Sequence, residues 1–159
     1  MFLPGIRLAS GADAPAIADM SRQYIEYGLG WSWTAARIAA AIQDESTNVA
    51  VVHLSDGVVA FGIMHYGERT AHLALLAVHP MRRKQGIATR LVSWLEKCAD
   101  TAGIERVSVE ARSDNPAAIA FYQKHGYAQV DRLAKYYRGV LDALRFEKTL
   151  RAPIRESRF

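Results

Sequence analysis

A chain of 159 residues with 50% hydrophobic and 23% charged side chains is the size of one domain and close to globular average composition, which excludes disordered and collagen-like chains. Its single cysteine, Cys98, permits no intrachain disulfide and, lying in a helical pattern, reads as a small apolar residue. Net charge is +4, from 20 Lys and Arg against 16 Asp and Glu, which is compatible with an anionic ligand, a nucleic acid or neither.

In chain order, a short strand at Ile6–Leu8 precedes a helix start at Ser10-Gly11-Ala12-Asp13. Ala14, Ile17, Ala18, Met20, Tyr24 and Ile25 then recur at helical spacing. Gly28 and Gly30 break that helix, Trp31-Ser32-Trp33 forms a turn, and Thr34 caps a second helix carrying Ile38, Ala41 and Ile42. The period then changes to that of strands. Asn48–Leu54 and Val58–Tyr66 flank a Ser55-Asp56-Gly57 hairpin signal, and Thr70–Val78 forms a third strand stopped by Pro80.

Gly86–Ala102 reads as a long helix with Ile87, Leu91, Leu95 and Cys98 on one stripe, ended by Gly103. A strand at Arg106–Ala111 leads to a helix from Asn115 to Lys124, with Asn115 as N-cap and Pro116 at the first helical position. Tyr127–Leu133 and Ala143–Leu150 close the domain as strands. Residues 1–150 are therefore expected to form one domain, and Arg151–Phe159, without periodicity, a mobile tail. The order of elements predicts an α/β (α+β) fold, a mixed sheet with helices on both faces. No apolar run approaches the roughly 18–20 residues that span a bilayer. The start Met1-Phe2-Leu3-Pro4-Gly5 has no signal pattern, so a cytoplasmic protein with no membrane partner is expected.

Most chemical information lies in Val78-His79-Pro80-Met81-Arg82-Arg83-Lys84-Gln85-Gly86-Ile87-Ala88-Thr89-Arg90-Leu91. A strand ends, a basic loop follows, and a long helix opens around a glycine. The first turn of a helix presents unpaired N–H groups and a partial positive charge. Gly86 and Ala88 leave little bulk above those donors. Arg82, Arg83 and Lys84 stand at the end of the helix that disfavours cations, which argues for a bound anion. Neither Gly-x-Gly-x-x-Gly nor Gly-x-x-x-x-Gly-Lys-Ser/Thr is present. Three adjacent cations without interleaved aromatics make a short footprint for nucleic acid, so no nucleic-acid partner is expected. No His, Cys and carboxylate cluster has metal-ligand spacing, so no metal is expected either.

Arg83-Lys84-Gln85-Gly86-Ile87-Ala88 resembles the Arg/Gln-x-x-Gly-x-Gly/Ala pyrophosphate loop of the GNAT superfamily of acyl-CoA-dependent N-acetyltransferases. Asn115-Pro116-Ala117-Ala118-Ile119-Ala120-Phe121-Tyr122-Gln123-Lys124-His125-Gly126-Tyr127 resembles the superfamily's second signature, a helix and turn. The likeness covers roughly residues 6 to 150. It implies a mostly antiparallel sheet of six to seven strands with splayed central strands and about four helices. It also implies acetyl-CoA as co-substrate, a primary amine as acceptor, and admits a homodimer.

The same resemblance implies that Leu76, Ala77 and Val78 pair with the pantetheine arm, with a backbone N–H near Val78 polarising the thioester carbonyl. The pyrophosphate would sit on the amides of Arg83, Lys84, Gln85, Gly86, Ile87, Ala88 and Thr89, and Asn115 would bind the arm. Tyr122 matches the family's general acid. Glu110 matches the base of the branch that acetylates ribosomal-protein N-termini, in Glu110-Ala111-Arg112-Ser113-Asp114-Asn115. Read from the residues alone, Glu110 is either catalytic or an ion-pair partner of Arg106, Arg112 or another cation. His72 and His79 are the rival bases. His79, before Pro80, reads as structural, whereas His72 shares a face with Ala74, Leu76 and Val78 and so could line the cleft.

Tyr136-Tyr137, followed by Asp142-Ala143, is similar to the feature that holds the acceptor peptide in protein N-terminal acetyltransferases, although Arg138-Gly139-Val140-Leu141 is a shorter spacer than that branch carries. Trp31 and Trp33 would form the opposite wall. Aromatic walls suit an apolar first side chain of a peptide or the methylenes and ammonium of a small amine. A polyamine or aminoglycoside-type acceptor, or a non-catalytic acyl-CoA-binding module, are the alternative functions.

Overall fold

The computed structural model describes residues 5–151. Strand β1 (Ile6–Leu8) is followed by helices α1 (Ala14–Tyr24) and α2 (Ala35–Gln43), then by strands β2 (Thr47–Leu54), β3 (Gly57–Tyr66) and β4 (Thr70–Val78). Helix α3 (Ile87–Thr101), strand β5 (Arg106–Arg112), helix α4 (Pro116–Lys124) and strands β6 (Ala128–Tyr137) and β7 (Leu141–Thr149) complete it. The seven strands form one sheet in the order β1-β2-β3-β4-β5-β7-β6. Every pairing is antiparallel except β4 with β5.

Most elements fall within one or two residues of their sequence expectation. The exception is β6, which runs on past Leu133 to include Tyr136 and Tyr137, because β7 begins at Leu141 and only a short turn separates them. Of the expected tail only Arg151 is among the described residues, and its guanidinium bonds the Asp100 carboxylate at 2.6 Å. The remainder of the expected mobile tail lies outside the described residues. No helix among the described residues is long and apolar enough to cross a membrane.

Helices cover both faces. On one face, Ile17, Ala18 and Ile38 of α1 and α2 pack on Val49, Val51, Phe61, Ile63, Leu75 and Ala77. On the other, Leu91, Val92 and Leu95 of α3 and Tyr122 of α4 pack on Ala50, Val52, Met64, Leu73, Val107, Val109 and Phe146. Alternation along each strand sends successive side chains to opposite faces, and this is what feeds two cores from one sheet.

Two irregularities position the site. β4 pairs with β5 only over Thr70–Leu73 against Arg106–Val109; beyond that the strands part, while β4 stays paired with β3 to Val78. The register between β3 and β4 also slips, from Ile63↔Leu75 to Met64↔Leu73, so β4 carries one extra residue around Ala74. The slip inverts the alternation. Ala71 and Leu73 belong to the α3/α4 core, but Leu75 and Ala77 belong to the α1/α2 core. His72 therefore lies on the α1/α2 face, whereas Leu76 and Val78 pack toward α3. The expectation that His72 shares a face with Leu76 and Val78 fails for this reason.

Candidate active site

The parting of β4 and β5 opens a cavity of about 550 Å³ that passes through the plane of the sheet. Its walls include Leu73–Leu76 of β4, Val109–Arg112 of β5, Trp33 and the end of α1 on one face, and Asn115, Ala118 and Tyr122 on the other. Tyr136, Tyr137 and Arg138 close one side. Of the sequence candidates, Glu110, Tyr122, Asn115, Trp33, Tyr136, Tyr137, His72 and Leu76 meet here. Trp31 does not line the cavity; it is exposed, with the Arg22 guanidinium 5.5 Å from its ring centroid. Ala77, Val78 and residues 83–89 also lie outside the cavity, farther along the open edge of β4.

That edge carries free peptide groups. His79 donates its N–H to Val59 O at 2.7 Å, which fixes the phase of the antiparallel ladder: Ala77 spends its groups on Phe61, and Leu76 and Val78 turn theirs toward the gap. Val78 O accepts from Arg83 Nε at 3.3 Å. His79 is structural as expected, its Nδ1 accepting from Met81 N–H at 3.1 Å.

Beyond β4, the loop into α3 is shaped to present donors. Lys84 and Gly86 both hold left-handed φ values, 63° and 79°. The backbone N–H groups of Lys84, Gln85, Gly86, Ile87, Ala88 and Thr89 have no hydrogen-bond partner among the described residues. A Cβ at Gly86 would meet nothing within 4 Å, so the glycine is required by its backbone angle and not by crowding. Arg82 is drawn off to Asp56 at 2.9 Å, which leaves Arg83 and Lys84 as the local cations. Six successive unpaired donors at a helix N-terminus make a segment suited to a diphosphate.

At the opposite end the polar groups are all side chains, and they satisfy one another. Glu110 Oε2 lies 2.5 Å from His72 Nε2, and Oε1 accepts from Arg145 Nη2 at 3.2 Å and from Tyr136 Oη at 3.4 Å. Burial alone would raise the Glu110 pKa, but the hydrogen bonds and charges of His72 and Arg145 outweigh it and hold the carboxyl below its usual value. The cation beside Glu110 is thus Arg145, its cross-strand partner on β7, and neither Arg106, which pairs with Glu147, nor Arg112. Arg112 is itself buried. It pairs with Asp114 at 3.0 Å and donates to Ile25 O and Tyr27 O, which ties the α1–α2 connection to the end of β5.

Glu26 organises that connection. Its carboxylate accepts from Ser21, from both the hydroxyl and N–H of Ser32, and from Trp33 N–H. Trp33 is held between the Arg37 guanidinium, 3.7 Å from its ring centroid, and the His65 ring at 6.4 Å. Sequence reasoning missed His65, Arg145 and Glu26, and it considered Arg112 only as a partner of Glu110. A cross-strand partner or a loop cap is recognisable only once register is known.

Tyr122 approaches from the α4 side, where Phe121, Tyr127 and Phe146 surround its ring. The residue is 6% exposed, and burial first, then the nearby Tyr137 and Glu110, pushes its hydroxyl pKa up. Asn115 Oδ1 accepts from Ala118 N–H at 3.1 Å and caps α4, which leaves the side-chain NH₂ without a partner among the described residues. Also among the described residues, no group of three or more His, Cys, Asp or Glu side chains is placed to hold a metal ion.

A sheet that splits between its central strands, with a donor-lined helix start beside the gap, makes a cleft suited to an elongated ligand with an anionic end. Residues 16–127 match the family model of the GNAT family acetyltransferases, and the chain belongs to that family. It is 35% identical over 75 residues to N-alpha-acetyltransferase 30 of Schizosaccharomyces pombe, a match covering 47% of this chain and 50% of that protein. The chain spans half or less of the length of the curated N-alpha-acetyltransferases it matches first. Among solved structures, Ard1 from Thermoplasma volcanium superposes with a TM-score of 0.80 at 25% identity, over 92% of this chain and 97% of that one. The ribosomal-protein-S18-alanine N-acetyltransferase from Escherichia coli superposes at 0.83 and 24% identity over 97% and 98%, a likeness of fold.

Proposed function

We propose that this chain is an N-acetyltransferase that moves the acetyl group of acetyl-CoA to the N-terminal amine of a protein by direct attack. The observation that carries the reading is the opening between β4 and β5, lined by the Glu110 network and by Tyr122, with unpaired peptide donors continuing beyond it along the β4 edge and into the start of α3. The amides of residues 84–89 would hold the diphosphate, and the peptide groups of Leu76 together with the N–H of Val78 would pair with the pantetheine arm. The Val78 N–H would stabilise charge on the carbonyl oxygen; losing such a donor typically costs roughly 100- to 1,000-fold in rate.

Glu110 supplies the negative charge toward which a proton leaves the acceptor amine. Tyr122 stays protonated at neutral pH because burial disfavours its phenolate. It therefore serves as a hydrogen-bond donor to the departing sulfur, since full transfer from so weak an acid to a thiolate would be uphill.

The charge at the acceptor end favours a peptide over a polycation. Both carboxylates lining the cavity, Glu26 and Glu110, are already engaged, and Arg37, Arg112 and Arg138 line it as well. A polyamine or aminoglycoside carries several ammonium groups, and a lining of two engaged carboxylates and three arginines offers them little free negative charge. Thiol release from acetyl-CoA, followed in parallel with free-N-terminus peptides, spermidine and an aminoglycoside, tests the proposal. Peptides should turn over fastest. Turnover of the polycations alone would replace the acceptor assignment, and none at all with coenzyme A demonstrably bound would favour a binding module. Family members are often paired, and a homodimer is proposed for this chain on that ground alone.

A further inference from the structure

The Glu110 network is asymmetric. The Glu110 side chain is 7% exposed and the His72 side chain 39%. Both carboxylate oxygens of Glu110 are occupied, one by His72 and the other by Arg145 and Tyr136. A carboxylate so placed accepts hydrogen bonds and does not donate, so His72 Nε2 carries the proton between them. Nδ1 of His72 then holds a lone pair and has no partner among the described residues, while the residue lines the cavity.

We infer that His72 is the catalytic base that meets the acceptor amine, with Glu110 behind it as a positioning residue. The inference rests on the acetyltransferase reading and deepens it. The acceptor ammonium gives one proton to His72 Nδ1. The nitrogen lone pair so freed forms the bond to the thioester carbon, and the carbon–sulfur pair leaves on sulfur. The second proton that nitrogen sheds as the amide forms balances the charge on sulfur, near the Tyr122 hydroxyl. His72 passes its own proton to water through its exposed edge, and Glu110 offsets the positive ring meanwhile. This is the division of labour of a carboxylate–histidine pair, in which the acid sets tautomer and orientation and the ring moves the proton.

The groups facing His72 from neighbouring elements are Glu110 on β5, His65 opposite it on β3, and, behind Glu110, Arg145 on β7 and Tyr136 on β6. Arg37 of α2 reaches the same corner through Trp33 and His65. Glu110 is the single acid in that set, so the geometry singles out one pair.

The test measures kcat/KM against pH with acetyl-CoA and a free-N-terminus decapeptide, for the unaltered chain, His72→Gln, His72→Ala and Glu110→Gln. His72→Gln should lose about 100-fold or more in kcat at neutral pH, in line with removal of a general base. The acid limb of the profile should vanish in His72→Gln and persist in Glu110→Gln, and added imidazole should restore part of the His72→Ala activity. Calorimetry of coenzyme A binding serves as the folding control and should be unchanged in all three. Nitrogen-15 histidine spectra should report an Nε2–H ring for His72 that is lost in Glu110→Gln. Retention of the acid limb in His72→Gln with turnover within about threefold overturns the inference and returns the role to Glu110. No thiol release by the unaltered chain with any amine sinks the acetyltransferase reading itself, and the inference with it.

Discussion

The two ends of the slot between β4 and β5 are built by opposite means. At the α3 end, recognition uses peptide N–H groups, held in place by two left-handed residues, Lys84 and Gly86, in one short loop. At the other end it uses side chains from β4, β5, β6 and β7, already bonded to one another through Glu110. A backbone cradle tolerates any side chain that does not obstruct it. A side-chain network fails when one member is changed, because the remaining buried partners are left unpaired. The first end should therefore govern affinity for the nucleotide-bearing substrate, and the second the rate of transfer.

Substitutions can break that division. Tyr122→Phe removes only the hydroxyl from a packed ring, and kcat should fall about 100-fold, the usual loss when one hydrogen-bond donor to developing charge is removed. Coenzyme A affinity by calorimetry should not move, and a parallel loss of affinity would mean that the two ends are not separable. Gly86→Ala forces a Cβ into a left-handed conformation that costs about 1–2 kcal/mol, which should appear as a loss of about 5- to 30-fold in coenzyme A affinity with kcat preserved. Arg83→Ala with Lys84→Ala should weaken the same affinity by only a fewfold, and the loss should shrink in high salt, because exposed cations assist a cradle whose main donors are amides.

A final variant lies away from both ends. Arg7 binds Asp13 through both guanidinium nitrogens, at 2.7 and 3.1 Å, and fastens β1 to the start of α1. The Arg7 hydrogen bonds chiefly lower the Asp13 pKa, to about 2. A carboxyl depressed on folding adds stability that is fully present above its unfolded value and lost as pH falls toward its folded one. Denaturant midpoints should therefore drop between about pH 4 and pH 2. Asp13→Asn should flatten that limb while leaving both affinity and rate at neutral pH unaltered.

The same contrast explains what could be read from the chain. The cradle is local, so Arg83, Gly86 and Ala88 announce it within one segment, and Asn115 with Tyr122 forms a second compact pattern. Helix and strand positions followed from periodicity. The acceptor end is nonlocal: Arg145 meets Glu110 only because β7 pairs with β5 in one register, and His72 meets it only because β4 and β5 begin parallel. Trp31 looked equivalent to Trp33 in sequence. Glu26 holds the N–H of Trp33 and the following helix carries Arg37 over its ring, while Trp31 is left outside. The face of His72 is not legible in the sequence because the slipped pairing near Ala74 is a property of two strands, invisible in either alone.

That one surplus residue in β4 has a consequence for how the chain can vary. It sits where β4 stops pairing with β5, and a bulge bends the strand that carries it, so the void between them becomes a matter of counting. Remove Ala74 and the pleats of β3 and β4 fall back into step. Leu75 and Ala77 would then swap sides, and β5 would be free to zip against its neighbour along its whole length. Point changes around the opening should be survivable one by one, but a single-residue deletion there should erase the opening altogether and leave a tighter sheet with nowhere for a substrate to go.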